Sequence, residues 1–135
     1  RPKHLPFVIA IPTIDIIQTW IKPLRCDQQT FLRQVWPGSI TILVETSSMC
    51  PDWVTCGKKS LAIRVPKKGL FYDLLHTVYQ PLIATSFNEH GQPLCHPEKK
   101  YWEDALDFYV THPIPEGHQA SIILDIRQQP YHRIR

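Results

Sequence analysis

The chain has 135 residues, 43% hydrophobic and 20% charged, and its 15 Lys+Arg against 12 Asp+Glu leave a formal net charge of +3. Length and balance suit one soluble globular domain with a real core; no apolar run approaches the roughly 18 residues of a membrane span, and no charged-then-apolar leader opens the chain. Mild basicity permits nucleic acid or other anions as partners without arguing for them.

In chain order, residues 6–11 (PFVIAI) read as a short buried strand. Thr13 stands where a helix cap would, with Asp15 in the first turn and Ile14, Ile16, Ile17, Trp20 and Ile21 as an apolar face that Pro23 stops. Asp27 begins a second helical pattern through Phe31, Leu32 and Val35, ended by Trp36-Pro37-Gly38. Residues 39–44 (SITILV) predict a strand, 45–59 a long polar loop in which Trp53 is either a lid or an anchor, and 60–65 (SLAIRV) a strand. Leu70, Leu74, Leu75 and Val78 predict a helix, and 81–85 a buried strand that opens onto a polar loop. A helix over 98–108, a Pro-rich loop over 112–117, a strand over 121–126 and a strand-like Tyr131-His132-Arg133-Ile134 complete the chain. Strands alternating with helices predict an α/β (α+β) layered domain.

Cys26, Cys50, Cys56 and Cys95 form no C-x-x-C pair, and the seven histidines form no ligand motif. The expectation is no metal site, with reduced thiols in a cytoplasm.

Three segments carry chemistry. Thr85-Ser86-Phe87-Asn88 puts two hydroxyls and an amide after an apolar run; they can meet a phosphate or carboxylate, or simply satisfy a turn. Arg64 lies in an otherwise apolar strand, a costly place unless it meets an anion or faces water at an edge. Trp36-Pro37-Gly38-Ser39-Ile40-Thr41 reads as a helix stop, a turn and a strand start, explained by packing alone.

Taken in order, Arg1-Pro2, Trp36-Pro37-Gly38-Ser39-Ile40-Thr41, Ala62-Ile63-Arg64-Val65-Pro66, Thr85-Ser86-Phe87-Asn88-Glu89-His90-Gly91-Gln92-Pro93, Ala120-Ser121-Ile122-Ile123-Leu124-Asp125 and Arg135 resemble the YrdC/Sua5 family, the threonylcarbamoyl-AMP synthases. The family patterns are K-x-R-P, W-P-G-P-x-T, A-x-R-x-P, T-S-A-N-x-S-G-x-P, P-S-T-x-x-D and R-x-G. The resemblance implies a YrdC/RibB-like twisted mixed sheet flanked by helices. It also implies one YrdC-like domain over 1–135 that lacks the family's N-terminal segment. Phe87, His90, Ala120 and Ile122 depart from the family pattern.

By the same resemblance, L-threonine, bicarbonate and ATP become threonylcarbamoyl-AMP and pyrophosphate, for N6-threonylcarbamoyladenosine in tRNA. Arg1, Ser86 and Asn88 take catalytic positions, and Arg64 with Ser86 binds threonine. Arg1, Ser60, Asn88, His96, Ser121 and Arg135 bind nucleotide. ATP enters with magnesium held by phosphates and water, and no tightly bound cofactor is expected. Possible partners are tRNA or double-stranded RNA and a downstream threonylcarbamoyl-transferase complex. Three other readings stay open: a non-catalytic RNA- or nucleotide-binding relative, the related domain of the carbamoyltransferase that matures hydrogenases, and a truncated product without activity.

Overall fold

The computed structural model describes residues 7–85, 106–108, 110 and 121–134. Six strands form one mixed sheet: β1 (Val8–Ala10), β2 (Ile40–Glu45), β3 (Ser60–Arg64), β4 (Leu82–Ala84), β5 (Ile122–Asp125) and β6 (His132–Arg133). Their order across the sheet is β4-β1-β3-β2-β5-β6. β1 runs parallel to β3 and β2 parallel to β5, while the other neighbours are antiparallel. The β-branched residues of these runs fit a pleated, buried surface, so each predicted strand forms.

Side chains alternate across a strand, and the two faces differ in kind. Ile9, Ile42, Val44, Leu61 and Ile63, all at most 2% exposed, join Ile17 and Leu32 in one apolar core. Full burial of such a side chain contributes about 1.5–3 kcal/mol. The opposite face is mixed: Val8 and Leu43 share it with Ala10, Thr41, Glu45, Ser60, Ala62 and Arg64.

Helix α1 (Cys26–Val35) lays Leu32 on the core. Its start is fixed by Gln28, whose Oε1 accepts the Arg25 amide at 2.8 Å and whose Nε2 donates to the Ile126 carbonyl at 2.8 Å. Trp36 is extended, as a residue before proline prefers, and the helix ends there.

Three expectations need correction. The helix expected after Thr13 is a 3-10 segment of only four residues, Ile14–Ile17. Thr13 makes no side-chain cap bond, and its buried hydroxyl has no partner among the described residues. Beyond it Ile21 bridges Thr46, and the Lys22 amide donates to Glu45 at 3.0 Å, so pairing with β2 draws the chain straight. The supposed buried strand β4 is an edge strand among the described residues, and Ile83 is 48% exposed. The polar loop 45–59 contains a one-turn helix, α2 (Asp52–Thr55), anchored by the fully buried Val54, whereas Trp53 is exposed. The helix expected through Leu70, Leu74, Leu75 and Val78 forms as α3 (Leu70–Val78); of these four only Leu75 is buried.

Most of 98–108 lies outside the described residues; Leu106, Asp107 and Phe108 within them are not helical, and 112–117 lies outside altogether. Among the described residues no helix is long and apolar enough to cross a membrane.

Candidate ligand-binding face

β3 carries Ser60, Ala62 and Arg64 on the polar face by its period of two. The β2 register sets Glu45 opposite Ser60 and Leu43 opposite Ala62; one pair further on, Thr41 stands beside Arg64. On the far side of β2, Thr41 pairs with Ile123, and its Oγ1 lies 3.0 Å from the Oγ of Ser121. Arg64, Thr41 and Ser121 therefore gather at one end of the face. Ser60 lies on the same face four residues away along β3, roughly 13 Å at the usual rise of a strand.

The turn between α1 and β2 holds this end in place. Trp36 Nε1 donates to the Ile40 carbonyl at 2.7 Å, and the Gly38 amide donates to Val65 at 3.0 Å. Gly38 in turn accepts from Arg64 Nε at 3.2 Å. A side chain at Gly38 would meet the Val35 carbonyl oxygen at 2.2 Å, so the close approach needs glycine.

Arg64 is half-buried, and no carboxylate pairs with it among the described residues. Burial pushes its guanidinium below the usual arginine value, yet arginine keeps its charge in proteins. The result is a fixed cation whose terminal nitrogens form a planar fork, the shape that matches a carboxylate or phosphate.

Asp125 also projects from this face, since it pairs with Leu43. Its oxygens are taken by Arg127, with Nε at 2.9 Å and Nη2 at 2.6 Å. That pairing holds the Asp125 carboxyl below its ordinary value. Among the described residues, no group of three or more His, Cys, Asp or Glu converges as a metal site.

The strand directions show where β4 hands over to the loop that follows it. β4 runs against β1, with Ala84 opposite Val8 and Leu82 opposite Ala10, while Ala10 neighbours Arg64. Thr85, which opens the Thr-Ser-x-Asn loop, thus leaves the sheet toward the Ser60 end. Arg1, Ser86, Asn88, His96 and Arg135 lie outside the described residues.

Two residues that the sequence showed only as members of the Trp36–Thr41 motif, explained by packing, have a part in the site. Thr41 is fully buried although it is polar, and the Gly38 carbonyl orients Arg64. The available signal was a hydroxyl set between Ile40 and Ile42, on the alternate face of an otherwise apolar strand. A groove of about 790 Å³ runs between α1 and the 12–24 segment, over Ile21 and Leu32, and touches the motifs only at Trp36, Pro37 and Val65; Arg64, Ser60 and Ser121 do not line it.

The Sua5/YciO/YrdC family model, described as telomere recombination, matches residues 1–135. A threonylcarbamoyl-AMP synthase of Pseudomonas aeruginosa is 34% identical over 129 residues, covering 93% of this chain and 69% of that protein. Others match over less, and the chain spans about half the length of such curated relatives. Sua5 of P. abyssi, solved in complex with L-threonine, superposes with a TM-score of 0.86 at 21% identity, over 100% of this chain and 41% of that one. Full-length HypF, solved in a phosphate- and nucleotide-bound form, gives 0.78 at 14% identity, over 99% of this chain and 22% of that one. At these identities the superpositions speak to the fold, and the mixed sheet is common to both. The match along the whole sequence goes further: the chain belongs to the Sua5/YciO/YrdC family.

Proposed function

We propose that this chain, a single domain over 1–135, carries the substrate-binding sheet of a threonylcarbamoyl-AMP synthase. The observation behind this is Arg64, a half-buried cation without a carboxylate partner among the described residues, on the face that also carries Thr41, Ser60 and Ala62. Such a cation costs free energy until an anion meets it. The threonine carboxylate supplies that anion, which leaves the amine free to attack the bicarbonate carbon; a C–N bond forms, a C–O bond breaks and water leaves, giving the carbamate. The carbamate oxygen then attacks the α-phosphate of ATP and pyrophosphate leaves.

No covalent enzyme nucleophile is needed. The protein's part is proximity and charge-assisted hydrogen bonding around the phosphates. Ser121 and Ser60 serve the nucleotide, and by motif position Arg1, Ser86, Asn88, His96 and Arg135 complete the site. Magnesium arrives with ATP as part of the substrate. The product feeds tRNA modification in the cytoplasm, with tRNA and a downstream threonylcarbamoyl-transferase complex as partners.

The test is isothermal titration of L-threonine into wild type and Arg64→Ala. Loss of a charge-assisted contact weakens binding by about 1.5–3 kcal/mol; an unchanged threonine affinity would sink the assignment. A second reading, a non-catalytic nucleotide- or RNA-binding relative, is favoured by Phe87 and His90, which depart from the family pattern. Threonine- and bicarbonate-dependent ATP–pyrophosphate exchange separates the two.

A further inference from the structure

The Trp36–Thr41 segment reads in the sequence as packing, but its bonds reach both halves of the polar face. Gly38 accepts from Arg64 Nε at 3.2 Å, and three residues on, Thr41 Oγ1 lies 3.0 Å from Ser121 Oγ. Thr41 is 0% exposed, and its hydroxyl pairs with that of Ser121. The large majority of buried hydroxyls are satisfied within the protein. The bond therefore also fixes the Ser121 hydroxyl, which would otherwise rotate freely. A hydroxyl has one proton and two lone pairs; with one direction committed to Thr41, the rest of Ser121's capacity points elsewhere.

The segment itself is pinned twice. Trp36 Nε1 to the Ile40 carbonyl closes it on itself, and the Gly38 amide to the Val65 carbonyl ties it to the end of β3. Thr41 then sits in β2 between β3, which carries Arg64, and β5, which follows Ser121. One short piece of chain thus sets two groups that come from strands on either side of it.

We propose that Thr41 is a positioning residue: its buried hydroxyl aims Ser121 at the adenine nucleotide, while the turn that carries it aims Arg64 at the threonine carboxylate. The proposal rests on the synthase reading above, and it adds a residue that touches neither substrate.

The test measures ATP and L-threonine affinities of the purified protein by calorimetry for wild type, Thr41→Val, Thr41→Ser, Ser121→Ala and the Thr41→Val/Ser121→Ala double variant. Thr41→Val keeps the volume and removes the hydroxyl. It is expected to weaken ATP binding about fivefold, the value of one ordinary hydrogen bond, and to leave threonine binding within about twofold. Thr41→Ser, which restores the hydroxyl, returns ATP affinity to near wild type, a rescue that a packing role would not give. The double variant binds ATP no more weakly than Ser121→Ala alone, because both changes remove the same contact. Should circular dichroism show Thr41→Val unfolded, Thr41→Cys takes its place, with similar bulk and a weaker donor.

Additive losses in the double variant, or a Thr41→Val that binds ATP like wild type while Ser121→Ala does not, overturn the positioning role and leave the synthase reading intact. An unaltered ATP affinity in Ser121→Ala, or a wild type that binds no ATP, removes the role of Ser121 in that reading and the proposal with it.

Discussion

Arg64 donates through Nε to the carbonyl oxygen of Gly38 across 3.2 Å, tying the end of β3 to the turn that begins β2. The bond uses the one guanidinium donor that lies off the terminal fork, so orientation is fixed without occupying the two nitrogens that meet an anion. Arg64→Lys keeps the charge and loses both the tether and the fork. Threonine affinity is expected to fall about tenfold, the order of one charge-assisted hydrogen bond, with the melting temperature nearly unchanged. Titration calorimetry beside a thermal melt checks this, and equal affinity would count against a bidentate clamp.

Gly38→Ala tests the turn. The added methyl meets the Val35 carbonyl oxygen at 2.2 Å, so the backbone must shift. A loss of about 1–3 kcal/mol is expected, as for other overpacked sites. Urea denaturation measures it. Threonine affinity should fall in the same variant, since the acceptor for Arg64 moves with the turn.

Asp27 gives a pH dependence. Hydrogen bonds from Arg25, Tyr131 and Gln129 hold its carboxyl well below the usual carboxylate range. A depressed folded-state pKa contributes stability that is complete above the unfolded value of about 4 and fades as the pH falls below it. Asp27→Asn should therefore melt below wild type near neutrality, and the gap should narrow as the pH is lowered from about 6 to about 2. A gap that widens on acidification contradicts this account. Asp125, held below its ordinary value by Arg127, adds to acid sensitivity over the same window.

Helix α3 offers a contrast between neighbours. Leu75 is 0% exposed and Leu74 is 41% exposed. Leu75→Ala should cost about 2–5 kcal/mol, the range for a buried leucine. Leu74→Ala should stay within about 0.5 kcal/mol. Chemical denaturation of the pair decides whether the helix packs by the side described.

Much of this was legible in the sequence, for definite reasons. The runs that became β1, β2, β3 and β5 are dense in Ile and Val, and a strand needs only its own residues to be recognised. α1 was legible because Phe31, Leu32 and Val35 recur at helical spacing and Trp36-Pro37 stops them. What failed depended on neighbours. Ile14, Ile16, Ile17 and Ile21 carry a helical pattern, but the pairing of Ile21 with Thr46 overrides it. The apolar run of β4 does not reveal that it ends the sheet, because strand order is a property of the whole chain. In the site, Arg64 was visible as a charge in an apolar strand. Thr41 was not, since a threonine in a strand is ordinary until its partner across the sheet is known.

The opposed directions of β3 and β4 have a consequence for selectivity. Arg64 marks one end of the polar face, and Ser60, with the exit of Thr85, marks the other, roughly 13 Å apart by strand rise. Two anchorages at that separation work as a ruler. A short ligand can occupy either mark but cannot reach both, whereas an elongated one, with an acidic head at Arg64 and a nucleotide that runs from Ser121 at that same end to Ser60, engages the two at once. Under the proposed function the sheet would gauge length as well as charge, and the amino acid and the nucleotide would be held best when laid end to end.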